Sequence, residues 1–120
     1  MKIFRFIKRQ FHLQLKFLKF LIKKNLYKEF SLKDQLKRAT LSISNNIAEG
    51  SEYGSSKQFI KFLWIAKGSC AEVRSMLFVL YSLEKINSEI FNTLNNECLE
   101  ITKEIYYFIK YLEKSTLDAK

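Results

Sequence analysis

Gln35-Leu-Lys-Arg-Ala-Thr-Leu-Ser-Ile-Ser-Asn-Asn-Ile-Ala-Glu-Gly50, then a short break closed by Gly54-Ser55, then Phe59-Ile-Lys-Phe-Leu-Trp-Ile-Ala-Lys-Gly-Ser-Cys-Ala-Glu72 is the stretch whose reading decides the fold. In the first run Leu36, Ile43 and Ile47 recur at helical spacing, while Gln35, Ser42, Asn46 and Glu49 line up as a polar stripe on another face. In the second run Phe59, Phe62, Leu63, Ala66 and Cys70 begin an apolar stripe that continues through Val73, Met76, Leu77 and Leu80. Gly50-Ser-Glu-Tyr-Gly54 reads as the turn between them. Two amphipathic helices joined by so short a connection become antiparallel neighbours. Gly68 lies inside the second run, where glycine costs about 1 kcal/mol relative to alanine. Its presence predicts a close backbone approach there, with Ser69 and Glu72 in hydrogen-bonding reach of the Asn46 and Glu49 region.

Working outward, Ser31-Leu-Lys-Asp34 resembles a capping box ahead of the Leu36 helix. The next helix is predicted to start after Ser55 or Ser56, with Gln58 placed to complete its cap. A further one starts at Asn87 or Ser88 and runs through Leu94, Cys98, Ile101, Ile105, Phe108 and Leu112. An N-terminal helix is predicted over residues 3–26. The 120-residue chain has no proline and three glycines, and no strict apolar/polar alternation of the kind that marks strands. The expected fold is all-α, an up-and-down antiparallel four-helix bundle, with residues 1–120 as a single domain and no repeat or linker. Eleven Phe, six Tyr and one Trp exceed what four helices readily hide, which points to an oligomer interface.

The formal net charge of +9 is unevenly placed. Residues 1–40 hold 12 Lys/Arg against two acids, whereas residues 41–120 hold nine against ten. Arg5, Lys8, Arg9, His12, Lys16, Lys19 and Lys23 fall at steps of three and four, forming one ridge roughly 27 Å long on a helix. No acid precedes Glu29. Such a ridge can track a phosphate backbone by displacing its counterions. The plainer alternative is a solvated helix face. The aromatic residues between the ridge positions sit at core spacing and offer no platform for stacking bases.

Catalytic chemistry has little to work with. His12 is the only histidine, Arg9 stands where a Glu-x-x-His metal motif needs its acid, and no glycine-rich phosphate loop is present. Cys70 and Cys98 lie on apolar stripes and read as buried free thiols. Glu49 and Glu72 are placed to pair across the bundle, where a structural hydrogen-bonding role outweighs acid–base work. No enzyme, metal or cofactor is expected. The longest uncharged, mostly apolar run is residues 75–83, too short to span a bilayer, and Lys16 and Lys19 interrupt any signal-peptide core. The expected location is the cytoplasm, with no membrane partner.

The central stretch resembles the four-helix bundle proteins encoded in intervening sequences of bacterial 23S rRNA genes. The family pattern Gln-Leu-Arg-Arg-Ala, Ser-Ile-Pro-Ser-Asn-Ile-Ala-Glu-Gly, Gly-Ser and Glu-Phe-Ile-x-Phe-Leu-x-Ala-x-Gly-Ser-x-x-Glu is met at Arg38, Ser42, Asn46, Glu49, Gly50, Gly54, Gly68, Ser69 and Glu72, among others. The motif-rich part covers about a third of the chain. Ser44 stands where the family has proline, Gln58 replaces its glutamate, Tyr53 takes a commonly basic position, and Phe11 stands in for a tryptophan. The resemblance implies an up-down-up-down bundle assembled as a ring-shaped homopentamer, without catalysis. It also implies nucleic-acid binding, RNA or DNA, as commonly supposed for the family from its basic surfaces and gene location; of the two, RNA over DNA is the expectation here. A distant relative class serves as accessory protein to reverse transcriptases. A protein-interaction scaffold using Tyr53, Tyr106 and Tyr107 is therefore the competing expectation.

Overall fold

The computed structural model describes residues 30–118 together with Arg9, His12 and Lys16. Among the described residues three helices are found and no strand: α1 (Phe30–Ser51), α2 (Ser56–Ser82) and α3 (Ser88–Asp118). The chain is all-α, as the absence of proline and of alternating patterns predicts. Arg9, His12 and Lys16 also have helical backbone, but the rest of the predicted N-terminal helix lies outside the described residues, so three helices stand here where four were expected.

The boundaries follow local chemistry. Between α1 and α2, Gly54 takes a left-handed conformation (φ 68°), which glycine adopts without steric cost. Ser55 is extended at the N-cap of α2, and its hydroxyl accepts the Gln58 backbone N–H at 3.3 Å. Asn87 caps α3 in the same way, its Oδ1 accepting the Ile90 N–H at 2.8 Å. At the end of α2 the Glu84 N–H donates to the Tyr81 carbonyl and the Lys85 N–H to the Leu80 carbonyl. These two bonds form a Schellman motif, with Glu84 itself left-handed at φ 59°. The predicted cap at Ser31 is not realised. Helical backbone already includes Phe30 and Ser31, and the Asp34 carboxylate pairs with Arg38 Nε one turn ahead, at 2.9 Å, instead of reaching back.

The packing is antiparallel throughout. Ser42 meets Ser69 while Gly50 meets Phe59 and Phe62, so α1 runs against α2. Phe59 meets Phe108 while Arg74 meets Asn95, so α2 runs against α3. Helix α2 is the shared element, and α1 and α3 make no close backbone approach to each other. The core is one cluster drawn from all three helices, with Leu36, Ile47, Leu63, Leu77, Ile105 and Ile109 fully covered. Each such side chain contributes about 1.5–3 kcal/mol by leaving water. The predicted stripe of α2 is buried throughout except Phe62, which is half-buried, and that of α3 is buried with Ile109 added.

Candidate nucleic-acid interface

Of the predicted ridge, Arg9, His12 and Lys16 are described. All three are exposed on helical backbone at steps of three and four, hence on one face. Arg5, Lys8, Lys19 and Lys23 lie outside the described residues. Arg9 does not simply point to solvent: its Nη1 donates to Glu104 Oε1 of α3 at 2.9 Å, against a carboxylate that is mostly covered. This pair ties Arg9 to α3. An ion pair with one largely exposed partner adds about 0–1 kcal/mol, so its importance is positional.

The motif residues of α1 and α2 divide into those that pack and those that face water. Asn46 Nδ2 donates to the Ser42 carbonyl at 2.7 Å and to Ser42 Oγ at 2.9 Å. Ser69 Oγ lies 2.9 Å from Ser42 Oγ and 3.2 Å from the Ile65 carbonyl, so its single proton serves one or the other. These side chains clamp α1 to α2 with hydrogen bonds rather than offering an open site. Glu49 and Glu72 take no part in the clamp. Both are exposed, so the predicted pairing across the bundle and the predicted bond from Glu72 are not formed. The polar stripe of α1 turns away from α2 beyond Asn46, which leaves Glu49 in water. Gln35 and Arg38 are exposed as well.

The close approach expected at Gly68 is found at Gly50. Gly68 is exposed, and a Cβ built on it meets nothing within 4 Å among the described residues, so no helix crosses there. Its position on α2 falls on the side opposite Phe59, Leu63 and Cys70, which face the core. The close approach is at Gly50, which was read only as a turn residue. A Cβ there would lie 2.7 Å from Phe62 Cβ and 3.1 Å from a Phe59 ring carbon. Gly50 follows Ile43 and Ile47 along one apolar stripe, and that spacing was the available signal. Thr40 and Ser44, both buried, were also missed. Thr40 Oγ1 donates to the Leu36 carbonyl at 2.7 Å, and Ser44 Oγ approaches the Leu41 carbonyl at 3.4 Å.

Cys70 and Cys98 are free and buried between α2 and α3. Burial pushes the Cys70 thiol up to about 11, with the Thr102 hydroxyl, Lys67 and Arg74 pulling the other way. Burial, and then the neighbouring Cys70, push Cys98 up to about 12. Both remain protonated and unreactive at neutral pH. Among the described residues no three His, Cys, Asp or Glu side chains are grouped to hold a metal ion, and no helix is long and apolar enough to cross a membrane.

Much aromatic surface stays uncovered. Tyr53, Trp64, Phe78, Tyr81, Tyr106, Tyr107 and Tyr111 are all exposed. Several are organised: Tyr53 stacks on Phe62 at 5.2 Å, Tyr81 stacks on Phe91 at 4.9 Å, and Lys110 Nζ sits 5.3 Å from the Tyr106 ring. Tyr53, Tyr106 and Tyr107, named from sequence as a contact surface, are thus on the outside; Tyr111 was not singled out, although it follows Tyr107 by one helical turn.

An antiparallel helical protein, clamped by a Ser–Ser–Asn seam and with Arg9 paired to Glu104 of its last helix, defines the class. The model of the 23S rRNA-intervening sequence protein family matches residues 3–107, and the chain belongs to that family. It is also similar to the crystal structure of a protein of unknown function from the S23 ribosomal protein family of Bacteroides thetaiotaomicron. The two are 31% identical, the likeness covers 92% of this chain and 99% of that one, and the TM-score is 0.80. No curated protein matches the chain.

Proposed function

We propose that this chain is a non-catalytic, cytoplasmic nucleic-acid-binding protein that favours RNA, acts as a homo-oligomer, and engages phosphates along its N-terminal ridge. The observation that carries the reading is the exposure of Arg9, His12 and Lys16 on one face of helical backbone, in the segment that holds the entire excess of positive charge. The family description, which ties these proteins to sequences within 23S rRNA genes, supports RNA as the ligand. Contacts of this kind go to phosphates, so sequence preference is weak.

The N-terminal segment is proposed to complete a four-helix up-and-down bundle. Three observations support this. Arg9, His12 and Lys16 are helical, Arg9 pairs with Glu104 on α3, and α1 and α3 make no close backbone approach to each other. The likeness to the Bacteroides structure also spans more of the chain than residues 30–118 make up. The uncovered Trp64, Phe78 and Tyr81, together with the open Gly68 face of α2, support self-association, with a pentamer as the favoured state. Repeating a weak ridge around a ring raises avidity without new contacts.

Fluorescence anisotropy with labelled RNA across a salt series tests the reading, comparing wild type with Lys8→Ala/Lys16→Ala/Lys19→Ala/Lys23→Ala. The expected result is a steep salt dependence whose slope falls by about 0.7 for each single-strand phosphate contact removed. Absence of binding at low salt, or equal slopes in both proteins, would sink it. A second reading, a scaffold or accessory protein for a partner such as a reverse transcriptase, is favoured by the exposure of Tyr53, Tyr106 and Tyr107.

A further inference from the structure

Helix α2 is apolar on two opposite sides. Its inner side is the shared wall of both seams, with Leu63, Cys70 and Leu77 fully covered. Its outer side leaves 45% of Trp64, 46% of Ile65, 60% of Phe78 and 40% of Val79 in water. A helix that is apolar all round belongs inside a structure. An outer face of this kind therefore marks a contact surface. The face is also patterned. Lys61, Trp64, Gly68, Ala71, Ser75 and Phe78 follow one another at alternating steps of three and four, and all are exposed. Those steps make a seven-residue repeat, the spacing of a helix that lies along another helix. Gly68, Ala71 and Ser75 are small, so a second backbone can approach the middle of the stripe. Trp64 and Phe78 stand at either end of them.

The two flanks of the stripe differ in charge. One carries Ile65, Glu72 and Val79, all exposed, and the other carries Ile60, Lys67 and Arg74, all half-buried. When two such repeats lie parallel, a flank faces the opposite flank of its neighbour about five residues further along. That offset sets Ile60 on Ile65, Lys67 on Glu72 and Arg74 on Val79. Apolar then meets apolar, cation meets anion, and no like charges are opposed. Antiparallel helices would bring each flank against its own kind, Lys67 and Arg74 together on one side and Glu72 against Glu72 on the other. Like charges so placed oppose association. The Lys67 ammonium already lies along the face, 5.5 Å from the Trp64 ring, and Arg74 Nε is held by Asn95 Oδ1 at 3.3 Å.

We propose that the outer face of α2 docks on α2 of a second copy of this chain, the two helices parallel, with Lys67 of one copy on Glu72 of the next. Two different flanks meet, so the contact is heterologous, and the rotation that closes it makes a ring with α2 nearest the axis. Each copy makes the contact twice, once by each flank, so a modest contact suffices to hold a closed assembly. The inference rests on the self-association in the reading above and on nothing about the phosphate ridge. It adds the helix, the direction and the charge pair.

Sedimentation velocity over a concentration series reads the assembly, and acrylamide quenching of Trp64, the one tryptophan of the chain, reads the face. Wild type is expected to assemble with Trp64 shielded. Phe78→Glu, a change at an exposed position, is expected to sediment as a monomer with Trp64 open to acrylamide and an unchanged circular dichroism spectrum. Lys67→Glu and Glu72→Lys are each expected to raise the dissociation constant roughly tenfold or more. The double exchange Lys67→Glu/Glu72→Lys swaps both flanks and is expected to restore assembly; it carries the test even where Phe78→Glu loses helix. On mild oxidation Lys67→Cys/Glu72→Cys is expected to form disulfide-linked copies, and neither single variant to do so. Cys70 and Cys98 stay silent, being buried and protonated. Assembly of Phe78→Glu equal to wild type, or a double exchange that does not restore it, overturns this contact and leaves self-association standing. Crosslinking of either single variant shows antiparallel helices and overturns it as well. Wild type that stays monomeric overturns self-association and the contact together, and a shielded Trp64 in that monomer assigns the face to the chain's own N-terminal residues.

Discussion

The two seams of the molecule are built on different principles. Between α1 and α2 the helices meet through a glycine and small polar side chains: Gly50 against Phe59 and Phe62, and Ser69 against Ser42 and Asn46. Between α2 and α3 they meet through bulk, with Leu77, Cys70 and Cys98 buried at the seam and Phe59 edge-on to Phe108 at 5.4 Å. The first seam is specified by absence of volume and by hydrogen-bond direction. The second is specified by filled volume, to which transfer from water contributes in proportion to area. The contrast teaches where each seam is vulnerable: the first to added atoms, the second to removed ones.

The largest expected effect is on the filled seam. Ile105→Ala removes a fully buried side chain and should lower stability by about 3 kcal/mol, within the 2–5 kcal/mol usual for such truncations, measured by urea unfolding. A loss below about 1 kcal/mol would show that α3 collapses onto the gap and that volume does not specify this seam. Next comes the small seam. Gly50→Ala places a carbon where Phe62 Cβ leaves only 2.7 Å, and Phe62 Cβ cannot move without its backbone. Overpacking of that kind costs about 1–3 kcal/mol, against which alanine's helix preference returns about 1 kcal/mol. The net expectation is a modest loss for alanine that steepens sharply for Gly50→Val, whereas Gly68→Ala, in open space, should gain stability. Equal behaviour of the two glycines would erase the distinction between the seams. The smallest effect belongs to the clamp. Ser69→Ala should cost about 1 kcal/mol, and a double-mutant cycle with Ser42→Ala should recover a coupling of about 0.5 kcal/mol or more if the two hydroxyls bond directly.

The helices and their caps were legible because both are local. The Ser55 cap with Gln58, a helix start at Asn87 or Ser88, and the turn ending at Gly54 are relations over a few residues, and each was read from residue type and spacing. Ser31 misled for the same reason. Its spacing to Asp34 fits a cap, but whether a helix begins there depends on the residues before it and on Arg38 competing for the carboxylate. The glycines show the boundary more clearly. A helical glycine signals that something is unusual, yet which neighbour approaches it is a matter of two chains' positions. The close approach was therefore assigned to Gly68, whereas it belongs to Gly50. The candidate interface was legible as a basic ridge, because charge and periodicity are written in order along the chain. Its connection to α3 was not, since Arg9 and Glu104 are remote in sequence.

By itself, then, the sequence determined an all-helical chain, the apolar faces of α2 and α3, the turns that make neighbours antiparallel, and the charge asymmetry that points to a polyanion. Those follow from periodicity and from side chains bonding to nearby backbone. The tertiary structure decided which glycine lets two helices touch, which polar residues of the motif clamp and which face water, and that Arg9 pairs with Glu104 of α3. Each of these depends on distances between elements, which a one-dimensional pattern does not contain.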